Sequence, residues 1–323
     1  MNFTKRILLL FVIIPLVCFL SCKDKRHDKS KEHQLDHYAF VLMMTLDERE
    51  FYLDIMRRNI CEKIKIISTP NDTLEGTKKR IGDYDTMFFE ASNLVYLHKG
   101  KDSANQYDDT PPAAFTEDEN KHLKMRIVNA VNTYSQISDT YKTFSNYFLT
   151  KEYIKDKDSL GKLLLDSIHS LDLRFTAISD SIILKSDTIF RDIKQIPQKI
   201  KPSSQHATAM NNILQILHSF TSHLDSARGN KSSINIALLR KLKDSIGDKL
   251  FQYFGFGAYE GQASFWETVI DSRFKNLLLD VHARTDDMVY QLSKNNKFSN
   301  NDLDCLKDRE QRMQHYYNLF IKL

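Results

Sequence analysis

Apolar side chains recur along this chain at helical spacing and almost nowhere at the alternation of a strand. The clearest run is Leu123, Ile127, Ala130, Tyr134, Ile137, Tyr141, Phe144 and Phe148. Its steps alternate four and three without a break, the spacing of a heptad seam. Thr116 and Glu119 precede it at capping-box spacing, so a helix is expected over 116–148. A second seam, Leu164, Ile168, Leu171, Phe175, Ile178 and Ile182, belongs to a helix that Pro197 and Pro202 end. A third helix carries Met210, Ile213, Leu217, Phe220 and Leu224 and stops near Gly229. Further helices are expected over 233–254 and 264–292, the latter with Ile270, Phe274, Leu277 and Val281 on one face. The last begins at Ser299 and Asp302, a second capping-box pair, with Phe298 and Leu303 at hydrophobic-staple spacing. It continues through Leu306, Met313, Tyr317 and Phe320. Toward the N-terminus, helices are expected over 37–67 and 77–98, around a Pro-Asn-Asp loop at 69–76, and 99–115 reads as irregular.

Helices on short links bury such seams against neighbours at shallow angles. The expected fold class is therefore all-α: an elongated antiparallel helical bundle with coiled-coil-like seams, one domain over 37–323. Composition agrees, because 9 Gly and 6 Pro in 323 residues leave few helix breakers.

The first 25 residues depart from this pattern. Lys5 and Arg6 are followed by an apolar run of 14 residues, Ile7 to Leu20, then Ser21, Cys22 and a charged stretch. A cationic start, a short apolar middle and a small residue before the cut describe a secretory signal. A permanent membrane span needs about 17–25 apolar residues. Phe19-Leu20-Ser21-Cys22 resembles a bacterial lipobox, although Phe19 stands where Leu is commonest. Cys18 is a poorer candidate, since Val17 is large and the apolar run continues past it. The resemblance implies a signal peptide over 1–21 and a mature protein whose first residue, Cys22, carries acyl chains into a membrane. Residues 22–36 then read as a disordered, charged tether. Lys23 after the Cys lacks the Asp that often retains such proteins at the inner membrane, so the outer membrane of the cell envelope is favoured. Which face the body occupies, periplasm or surface, is left open.

With the leader gone and Cys22 acylated, Cys61 and Cys305 are the cysteines that remain. An exported protein sits where disulfides persist. Two readings stand: a Cys61–Cys305 bridge tying the first helix to the last, or two separate buried thiols. Formal charge is +4, or +2 without the leader's two cations, too even a balance for a nucleic-acid binder.

Residues Ser145 to Leu165 (SNYFLTKEYIKDKDSLGKLLL) are similar to a signature of the YiiG-like bacterial lipoproteins, and Tyr316-Tyr317-Asn318-Leu319 also resembles how those proteins end. Tyr147-Phe148 stands where the family has two Tyr. The resemblance implies an exported, lipid-anchored helical protein of unassigned function, and it supplies no catalytic residues.

Chemistry-bearing motifs are few. G-x-S-x-G, H-E-x-x-H, C-x-x-C and a phosphate-cradling Gly loop are all missing, so no enzyme, cofactor or metal site is expected. His33 and His37, and Asp166 with His169, have helical ligand spacing without a framework around them. In the link 151–161, Tyr153, Asp156 and Asp158 present a polar site, or Asp158 caps the helix that follows. Asp-Ser or Asp-Thr before a small or apolar residue occurs nine times, at Asp72, Asp85, Asp102, Asp158, Asp166, Asp180, Asp187, Asp225 and Asp244. That pattern resembles an O-glycosylation acceptor, or it marks short polar residues along amphipathic helices. The most unusual stretch is 251–266, where seven of sixteen residues are aromatic: Phe251, Tyr253, Phe254, Phe256, Tyr259, Phe265 and Trp266. Rings beside Gly255, Gly257 and Gly261 suit a ligand or partner surface; the alternative is a hairpin tip whose rings pack on the body. Two functional readings result. One is a non-enzymatic, lipid-anchored protein that binds a partner or scaffolds the envelope. The other is a carrier for a small apolar or aromatic ligand, with 251–266 as its mouth.

Overall fold

Each periodic stretch that can be compared forms a helix. The computed structural model describes residues 29–68, 85, 115–194, 204–228, 234–256, 265–295 and 298–323. The helices are α1 (Lys29–Ser68), α2 (Glu117–Leu149), α3 (Glu152–Lys155), α4 (Ser159–Lys194), α5 (Ser204–Ser226), α6 (Ile236–Gly255), α7 (Phe265–Asn295) and α8 (Asn300–Phe320). No strand occurs among the described residues. No helix among them is long and apolar enough to cross a membrane. Cys22, Pro197, Pro202, Gly229, Tyr259, the expected helix 77–98 apart from Asp85 and the loops around it apart from Phe115 lie outside the described residues.

α1 begins earlier than expected. Residues 29–36 are helical, so the charged stretch expected as tether over 22–36 ends sooner. Leu35, Tyr38, Ala39 and Leu42 form one buried stripe, at 1%, 4%, 4% and 1% exposure. That stripe carries the helix back through a stretch whose charges hide its periodicity. Asp36 adds an ion pair to Lys194 at 2.5 Å.

The α2 cap is reciprocal. The Glu119 N–H donates to Thr116 Oγ1 at 3.3 Å, and the Thr116 N–H donates to Glu119 Oε2 at 2.9 Å. At α8 the box is only half made. Ser299 Oγ accepts from the Asn301 N–H at 3.2 Å, while the Asp302 carboxylate turns to Lys65 at 3.2 Å. A lysine from another helix competes for the acid that a local box needs.

The seam residues are core. In α2, Leu123, Ala130, Tyr134, Ile137, Tyr141 and Phe144 are buried and Ile127 and Phe148 half-buried. In α5, Met210, Ile213, Leu217, Phe220 and Leu224 show no exposed surface. α2 packs chiefly on α4, with Tyr134 and Phe175 centroids 6.3 Å apart. α8 packs on α7, α5 and α1, and α6 on α5 and α7. Tyr38 at the start of α1 meets Phe115 just before α2, and Lys63 near its end meets Ser145 near the end of α2. α1 and α2 therefore run in the same direction, and the 149–163 turn begins level with the C-terminal end of α1.

Within that turn, Asp156 does the capping expected of Asp158. Its carboxylate accepts from the backbone N–H of Asp158 and of Leu160, both at 3.0 Å, and from Tyr147 OH at 2.6 Å. The shift of two residues follows from the backbone: Lys157 and Asp158 have φ of 55° and 64°, so the chain has not yet entered the helix at 158.

Candidate functional site

α1 carries a polar stripe at Asp47, Glu50, Asp54, Arg57 and Cys61, steps of three and four that share one face. α8 answers with Cys305, Asp308, Arg309, Arg312 and Tyr316. Cys61 and Cys305 are joined as a disulfide, with Cα atoms 6.2 Å apart. Beyond the bridge the two stripes build a buried charge network with α4 and α7. Arg57 donates to Glu50 at 2.7 Å and, through two nitrogens, to Asp172 at 2.5 and 3.0 Å. Arg312 reaches the same Asp172 at 2.5 Å and Asp308 at 3.2 Å. Arg309 donates to Asp308 at 2.6 Å and Asp280 at 3.0 Å. Asp280 also pairs with Arg284 at 3.1 Å and Arg58 at 3.7 Å. Arg273 donates to Asp47 at 2.6 Å, and Tyr316 OH to Glu50 at 3.0 Å.

Arg309 has no exposed surface, and Arg57 and Asp172 are nearly as deep. Such burial is tolerated because each charge meets opposite charge and directed hydrogen bonds. The titrations record the balance. Burial works to raise the Glu50 pKa, but the guanidiniums of Arg57, Arg273 and Arg312 outweigh it and hold the group at about 2. Asp280 is likewise held at about 2: burial opposes, and Arg284, Arg58 and Arg309 prevail. Burial also resists ionisation of Asp172, where Arg57 and Arg312 pull the carboxyl far below its usual range.

A second cluster lies toward the α1 C-terminus. Lys63 Nζ donates to Asp85 at 2.9 Å, to Tyr141 OH at 3.3 Å and to Ser145 Oγ. Tyr141 OH donates to Asp85 at 2.6 Å and accepts from Asn59 at 2.7 Å. Nζ also lies 4.8 Å from the Tyr141 ring centroid. Burial lowers the Lys63 pKa, and Asp85 opposes that shift. A lysine of reduced basicity on a serine oxygen has the elements of a base and nucleophile pair. Here the Lys63 side chain has no exposed surface, and its three N–H groups are occupied. The arrangement locks α1 to α2.

The aromatic stretch divides. Tyr253 and Trp266 have no exposed surface, so these two are core and leave the expected ligand or partner surface. Tyr253 OH donates to the buried Asp271, and its ring meets those of His206 and Phe274 at 5.8 and 5.7 Å. Phe256 and Phe265 are half-buried. Phe251 and Phe254 remain outside, 76% and 45% exposed. A shallow cleft of about 470 Å³ lies between α6 and α7, lined by Arg240, Lys243, Asp286, Tyr290 and Ser293 rather than by this aromatic group. Among the described residues, no three His, Cys, Asp or Glu side chains converge as a metal-ligand set. Asp166 and His169 both stand exposed. Of the described Asp-Ser/Thr positions, Asp85 and Asp187 are buried, Asp85 in the Lys63 cluster and Asp187 paired with Arg191 at 2.6 Å.

The charge network was not anticipated from sequence. Its one local trace is the three-and-four spacing of acids and Arg57 on the α1 face that also holds Cys61. No protein-family model, curated protein or solved structure matches this chain.

Proposed function

We propose that this chain is a lipid-anchored protein of the bacterial cell envelope that works without catalysis, as a stiff body that binds a partner or scaffolds the envelope. The observation that carries the reading is the Cys61–Cys305 disulfide, which suits an oxidising compartment and so agrees with the leader that ends at Cys22. The resemblance of 145–165 to YiiG-like lipoproteins points the same way. An elongated antiparallel bundle with coiled-coil-like seams is the finer architecture in this proposal. Its support is the buried heptad positions of α2 and the pairing of α1 with α8 from Cys61–Cys305 to Glu50–Tyr316. What supports a non-catalytic role is that Arg57, Arg309 and Arg312 are engaged by Glu50, Asp172, Asp280 and Asp308 in ion pairs that tie α1, α4, α7 and α8 together. The carrier reading has less support, because Tyr253 and Trp266 fill core positions.

Cells grown with a labelled fatty acid test the anchor. Wild-type protein takes up label and sediments with membranes, and Cys22→Ser abolishes the uptake. Absence of label in the wild type would overturn the proposal.

A further inference from the structure

The 149–163 turn follows the end of α2, which lies beside the C-terminal part of α1, so it stands away from where α1 begins. α1 has 40 residues, a length of about 60 Å. On the turn four aliphatic side chains stand in solvent: Leu149, Ile154, Leu160 and Leu163, at 64, 62, 41 and 62% exposure. Lys151, Lys155, Lys157 and Lys162 are exposed among them. Of the three acids in the same stretch, Asp156 is turned in to cap α4, Asp158 is half-buried, and Glu152 alone is exposed. The rings lie beneath, Phe148 stacked on Tyr153 at 5.9 Å. Lys151 and Lys157 hold φ of 56° and 55°, conformations that glycine adopts at less cost. The chain keeps a cation at both.

We propose that this tip docks on an anionic bilayer, its Leu and Ile side chains entering the headgroup–acyl boundary and its lysines meeting lipid phosphates. Charge and shape favour lipid over a protein partner. Protein hot spots draw on Trp, Tyr and Arg in desolvated pockets, and lysine is depleted from such interfaces. Here the exposed apolar groups are all aliphatic and the cations all lysine, whose long stems let the charge reach headgroups while the tip sits lower. Four side chains on a turn also fall well short of the roughly 800 Å² per partner of a stable protein interface. The geometry rests on the anchored reading: with acyl chains at one end and this tip at the other, the lipid met by the tip belongs to a second bilayer.

The test uses the full acylated protein reconstituted in phosphatidylcholine vesicles, with dye-filled phosphatidylglycerol-containing vesicles added as acceptors. Sedimentation of protein with the first vesicles reports the anchor by itself, so its failure would fall on Cys22 and not on the tip. Anchored wild-type protein is expected to recruit acceptors, and recruitment should weaken as salt rises. Neutral acceptors should stay free. The double variant Ile154→Ser, Leu163→Ser should recruit about tenfold less with an unchanged melting temperature. Lys151→Gly with Lys157→Gly should melt higher yet recruit less, a split that a merely structural turn would not give. Anchored wild type that recruits no acceptors, recruitment blind to lipid charge, or variants equal to wild type would overturn the proposal.

Discussion

Arg57 holds two carboxylates at once, and its loss would leave Glu50 and Asp172 in the core short of a partner. Arg57→Ala is expected to cost about 3–5 kcal/mol in urea unfolding. Tyr316→Phe removes one hydrogen bond to Glu50, an acceptor that Arg57 still serves, and should cost only about 1–2 kcal/mol. The depressed carboxyls also set the response to acid. Glu50 and Asp280 titrate at about 2 in the folded protein, against about 4 in an unfolded chain. A lowered folded pKa gives stability that is present above the unfolded value and lost as pH falls through the folded one. Melting temperature should therefore hold from neutral pH to about pH 4 and fall steeply between about pH 4 and 2. A steady decline beginning near pH 6 would contradict this balance. None of these partners can be paired from sequence, since Arg57 and Asp172 stand 115 residues apart and Tyr316 and Glu50 266 apart. Which acid meets which base is settled by how helices pack, and amphipathic spacing does not encode that choice.

Helices show the opposite balance between local and distant causes. The Thr116–Glu119 box was legible because both partners lie within one turn. The Ser299–Asp302 box was misread because Lys65, remote in sequence, competes for Asp302. The α2–α4 turn shows how tightly an element boundary is fitted. A Cβ added at Gly161 would stand 2.8 Å from Tyr147 Cε1, so Gly161→Ala should cost about 1–3 kcal/mol by overpacking. Thermal unfolding of that variant checks the figure. The disulfide gives a larger effect at this scale. It closes a loop of 244 residues between α1 and α8, and chain entropy alone would make that bond worth about 5 kcal/mol. Replacing both cysteines by Ser should lower the urea midpoint, and reductant should lower that of the wild type but leave the double variant unchanged.

At the scale of the whole molecule, the all-α fold was readable from unbroken three-and-four spacing and the scarcity of Gly and Pro. The composition of 251–266 marked an unusual place but not its division into buried Tyr253 and Trp266 and exposed Phe251 and Phe254. Ring counts carry no information about which side of a helix turns inward. In the 149–163 turn the sequence drew attention to Tyr153, Asp156 and Asp158, while the Leu and Ile side chains that stand exposed there fall between two seams and carry no mark of their own. The bridge between Cys61 and Cys305 has a consequence for biogenesis. It can form only after residue 305 has emerged, so covalent closure certifies that synthesis reached α8. A copy cut short before that helix would keep Cys61 without its partner, and a thiol-trapping reagent applied to newly made protein would sort finished molecules from unfinished ones.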